Sequence, residues 1–71
     1  MFNEAVKEIA NNPQKHFSDG CRTNMRKHLS TWKPKTPSNG MMAQMGEIKR
    51  KFNLGNKQAA AVVLAWNLYL L

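Results

Sequence analysis

Hydrophobic positions along the chain fall into runs with helical spacing, separated by clusters of turn-forming residues. Phe2, Val6 and Ile9 recur at i, i+4 and i+7, the spacing of one helix face, and predict a short helix over residues 3–10. The "NNP" that follows offers Asn12 as an N-cap and Pro13 at a first helical position.

The second helical pattern spans residues 13–31. Phe17, Cys21, Met25, His28 and Trp32 lie within ~80° of one another at 100° per residue, and Leu29 widens the stripe. Gly20 interrupts it, because glycine costs ~1 kcal/mol in a helix interior. Either the helix runs through, or it restarts with Ser18 or Asp19 as N-cap.

"KPKTPSNG" carries two prolines and must be a loop. Thr36 or Ser38 then caps a third helix over residues 39–53. There Met41, Met45, Ile48 and Phe52 share an arc of ~60°, with Glu47 and Lys51 an i, i+4 pair on the outside.

Gly55 is expected at the left-handed position that ends this helix, and Asn56 at the N-cap of a fourth, residues 57–71. This last helix is apolar all round: Ala59, Val62, Val63, Leu64, Trp66, Leu68, Leu70 and Leu71 point in every direction. A helix with no polar face is buried centrally or shared with a second subunit. The fold expected is therefore all-α, a small bundle of about four helices in a single domain over residues 1–71. Its last two helices are joined by a tight Gly-Asn turn.

Chain length makes that bundle marginal. A chain of 71 residues buries only about 60% of its unfolded surface. The single cysteine, Cys21, excludes an internal disulfide and suits a reducing compartment. The first ten residues carry acids and lack the pattern of a secretory signal. The longest apolar run, residues 59–71 broken only by Asn67, falls short of the ~20 residues that span a bilayer. A cytoplasmic protein with no membrane partner is the expectation.

Charge changes the picture more. Eleven Lys/Arg against four Asp/Glu leave a net charge of +7, which draws polyanions or acidic surfaces. On a continuous second helix, Lys15, Arg22, Arg26 and Lys33 would fall within ~40° and form a ridge ~27 Å long. Lys35 extends it from the loop, and Lys49, Arg50 and Lys51 form a second cluster. Cations so placed can follow a phosphate backbone through counterion release. These eight residues are the predicted nucleic-acid-binding set, with little sequence specificity.

Sequence reading by a helix-turn-helix fits poorly. With Gly55 at the turn, Lys51 occupies the position where the motif needs a small residue. The fourth helix also presents few side chains able to contact base edges, so it reads as core. Trp32 could stack on a base, but it closes the apolar stripe and is expected inside. Met41, Met42 and Met45 read likewise as core rather than as an adaptable docking surface.

Catalytic and metal chemistry find no support. Glu4, Glu8, Asp19 and Glu47 are scattered. Cys21 and His28 share a face but stand ~10 Å apart along the axis, and a structural zinc needs four ligands. They are expected as a satisfied core pair, with no metal, cofactor or enzymatic activity. Two function classes remain. One is a non-enzymatic nucleic-acid-binding protein. The other is a small regulatory or inhibitor protein that docks on an acidic surface of a larger protein such as a polymerase or repair enzyme, and in composition the chain resembles phage-encoded regulators. A homodimer through Trp66, Leu68, Tyr69, Leu70 and Leu71 is expected, because so apolar a chain end needs cover.

Overall fold

The structure, a computed structural model, describes residues 4–32 and 40–71. Phe2, Lys33, Lys35 and the caps expected at Thr36 and Ser38 lie outside the described residues. Among those described, the chain is all-helical, with five helices and no strand. They are α1 (Glu4–Asn11), α2 (Pro13–His16), α3 (Asp19–Thr31), α4 (Gly40–Phe52) and α5 (Asn56–Asn67).

The second expected helix is two. Phe17 adopts an extended backbone (φ −136°, ψ 140°), and Ser18 caps α3 by accepting the Cys21 N–H at 3.2 Å. Gly20 therefore sits in the first turn of α3, where its backbone entropy matters less than in mid-helix. Asn12 does not cap α2 with its side chain. Its amide turns back and donates to the Glu8 carbonyl at 3.0 Å, and His16 meets the Glu8 carboxylate at 2.5 Å, so both close the α1–α2 corner.

The core is built around α5. Ala60, Ala61 and Ala65 receive Val6 and Ala10 of α1, while Ala59 and Val62 pack with Phe17, Met25, Leu29 and Ile48. Small side chains on α5 let its neighbours approach from several sides. Met25, Ile48, Val62 and Val63 are fully buried, and burial of side chains of this size contributes about 1.5–3 kcal/mol each.

Both helix-ending turns differ from expectation. The residue in the left-handed region at the end of α4 is Asn53 (φ 54°), and Leu54 N–H closes onto the Lys49 carbonyl at 3.0 Å. Gly55 is extended (φ −75°, ψ 169°) and is itself the N-cap of α5, its N–H bonded to Gln58 Oε1 at 2.9 Å. Asn56, expected as the cap, is the first helical residue.

α5 also stops at Asn67 rather than running to residue 71. Tyr69 takes φ 60°, its N–H reaches the Trp66 carbonyl and Leu70 N–H reaches the Ala65 carbonyl at 2.8 Å. This is a Schellman closure with a non-glycine residue at its left-handed position. It folds Leu71 back against both parts of the core. One chain thus covers Val62 and Val63 unaided, and the apolar nature of α5 does not by itself require a second subunit.

Candidate nucleic-acid interface

α3 presents two different flanks. Met25 and Leu29 turn inward. At 100° per residue, Arg22 and Arg26 fall on one side of that core line, while Asn24, Lys27 and Thr31 fall on the other, roughly 100–180° away around the helix.

The predicted ridge does not form on the first flank. Lys15 is exposed on α2, beyond the break at Phe17 and Ser18, so its register with α3 is lost. Arg22 is half-buried: its Nε donates to the Phe17 carbonyl at 3.3 Å and its Nη2 to the Asp19 carboxylate. Arg26 is also half-buried and donates to the Leu71 carbonyl at 2.8 Å and to Thr23 Oγ1 at 3.0 Å. These guanidiniums are engaged in holding the fold together.

The second cluster separates for a simpler reason. Consecutive helical residues point 100° apart, so Lys49, Arg50 and Lys51 cannot share a face. Lys49 is exposed, Arg50 pairs with Glu47 at 2.7 Å, and Lys51 turns toward α3.

There a groove of about 560 Å³, open to solvent, runs between α3 and the end of α4. His28 and Phe52 form part of its lining, their rings meeting edge to face at 6.1 Å. Asn24, Lys27 and Thr31 line it from α3, and Lys51 faces them from α4. Asn24 to Thr31 spans ~10 Å at 1.5 Å per residue, room for one or two phosphates.

Electrostatics favour an anion here. Each of the four Asp and Glu side chains lies beside a partner: Glu4 by Lys7, Glu8 by His16, Asp19 by Arg22, and Glu47 by Arg50 and, at 4.0 Å, His28. Among the described residues, neither Lys27 nor Lys51 has a carboxylate within ion-pair distance. The Asn24 amide is also uncommitted, whereas the Thr31 hydroxyl is taken up by the Lys27 and His28 carbonyls at 3.2 Å. His28 is not the satisfied core residue expected. It is half-buried, and its shielded Nε2 has no hydrogen-bond partner, with Glu47 Oε1 at 4.0 Å.

Of the predicted nucleic-acid set, Lys51 alone among the described residues lies in this groove. Asn24, Lys27 and Thr31 are legible in the sequence as a polar stripe at i, i+3 and i+7, shorter than the row of cations on the opposite flank.

The expected interface residues behave unequally. Leu68, Tyr69 and Leu70 are exposed, Tyr69 almost entirely at 97%, while Trp66 and Leu71 are half-buried. Trp32 is half-buried at the C-cap of α3. Met41 and Met42 are exposed rather than core. No helix among the described residues is long and apolar enough to cross a membrane. Compared with known proteins, the chain matches no family model, no curated protein and no solved structure.

Proposed function

We propose that this protein binds nucleic acid without catalysis, holding backbone phosphates in the α3–α4 groove and reading little or no sequence. The observation that carries this reading is the convergence of Lys27, Lys51 and the Asn24 amide on one groove, where the nearest carboxylate, Glu47, lies behind His28 and is paired with Arg50. α5 is buried as core and supplies no reading helix, so contacts fall on the backbone rather than on base edges.

A second reading has the same lysines meet an acidic patch on a larger protein. It is favoured by Met41 and Met42, exposed on the first turn of α4, since methionines make adaptable docking surfaces.

Gel shifts with random duplex, single-stranded DNA and RNA separate these readings. Lys27→Ala with Lys51→Ala should weaken every nucleic-acid complex alike. It should also lower the salt slope by about 0.9 per lost contact on duplex, or about 0.7 on single strands. Arg22→Ala should leave the slope unchanged. A slope untouched by the lysine pair but lowered by Arg22→Ala would move the contacts back to the other flank. No shift with any of the three would favour the protein-docking reading.

A further inference from the structure

Across α3 from the groove, a second cavity of about 350 Å³ is bounded by Arg26, Trp66, Asn67, Tyr69 and Leu71. Three features of its lining are unusual together. Tyr69 holds its backbone at φ 60°, where glycine is the favoured residue, yet it places its ring almost wholly in water. The Arg26 guanidinium is fixed in place by its bonds to Leu71 and Thr23, so its orientation is set before any ligand arrives. Asn67 commits its amide N–H to the Val63 carbonyl at 2.7 Å, and its side-chain oxygen is left as an acceptor.

Two aromatic rings, a fixed guanidinium and one amide acceptor suit a flat, polar-edged ring. Resting on the phosphate-binding reading above, we propose that this cavity receives a single unpaired nucleobase, so that the protein prefers single strands to duplex. Rings such as Trp66 and Tyr69 stack on any base, and Arg26 adds its own planar face. A base inside a duplex has both faces covered by its neighbours and cannot enter. The cavity and the groove are separated by the width of one helix, about 10–12 Å with side chains. The surface between them carries the exposed Thr23 and Ser30. A single strand laid across α3 engages both sites.

Fluorescence polarisation with labelled oligo(dT), an abasic strand of equal length and a hairpin duplex tests this. Oligo(dT) should bind roughly tenfold tighter than the abasic strand, the factor that one stacked base supplies. Tyr69→Ala should erase that difference and Tyr69→Phe should keep it. Tyr69→Gly should erase it while raising the melting temperature, which a merely structural tyrosine would not do. In a Trp32→Phe background, oligo(dT) should quench the Trp66 emission. Equal affinity for oligo(dT) and the abasic strand, with both bound, would overturn the base site and leave the phosphate reading standing. Binding of neither strand would remove both. A mass that falls on dilution, together with loss of dimer in Leu68→Glu, would assign this surface to a second copy of the chain and overturn the proposal.

Discussion

Asn53 and Gly55 exchange the roles that their residue types suggest. Glycine adopts the left-handed region most easily, and asparagine is a good N-cap, so "NLGN" reads naturally as a glycine-ended helix followed by an asparagine cap. The structure instead puts Asn53 at φ 54° and leaves Gly55 in extended backbone open to any residue. Asparagine tolerates the left-handed region because its short polar side chain bonds locally. Leu54 then falls where its side chain can pack on the core, the hydrophobic contact that accompanies this turn. A Cβ added at Gly55 would meet nothing closer than Gln58 Oε1 at 3.6 Å. Gly55→Ser should therefore keep or raise stability by a few tenths of a kcal/mol, since serine is the better N-cap. Asn53→Val should cost about 1–2 kcal/mol, because a branched Cβ crowds the carbonyl there. Urea unfolding of the two variants decides the matter, and the opposite ranking would return the left-handed position to Gly55.

At the level of elements, the apolar stripes were legible in large part, with Met41 of the α4 stripe left exposed, and the cation ridge was not. Phe17, Met25 and Leu29 lie in the core as their spacing implies, because core packing tolerates a break as long as each piece presents its face inward. A ridge is more demanding, since it needs one unbroken helix to keep Lys15 in register with Arg22. Ser18 removes that continuity by offering its side chain to Cys21 N–H. The loss of Arg22 and Arg26 to internal bonds was harder still to foresee. Helical spacing gives a direction for each guanidinium, but not that the Leu71 carbonyl, 45 residues away in sequence, will meet Arg26. Ser18→Ala should cost about 1 kcal/mol and Ser18→Asp should be neutral, as an N-cap requires. Chemical denaturation checks this. Equal losses in both variants would mean that Ser18 acts through something other than its capping bond.

For the molecule as a whole, composition reveals the excess of positive charge and folding decides where it acts. Four acids each lie beside a cation or a histidine, so the surplus of +7 rests on the other cations, and among the described residues Lys27 and Lys51, with no carboxylate in ion-pair distance, face one groove. Gathering like charges on a small body stores repulsion in the folded state. A bound anion relieves it, since a ligand that binds only the native form stabilises by about 2.7 kcal/mol at a hundred times its Kd. Two opposite effects of Lys27→Ala with Lys51→Ala should follow. At low ionic strength without ligand, the variant should melt higher than the parent. That gap should narrow as added salt shortens the screening length from about 30 Å at 0.01 M to about 8 Å at 0.15 M. Inorganic polyphosphate at fixed ionic strength should raise the melting temperature of the parent and scarcely that of the variant, reversing their order. Should the variant melt lower without ligand, the lysines contribute packing through their stems rather than stored repulsion. Should polyphosphate raise both alike, the anion is held by the general charge of the surface, and the groove has no special claim on it.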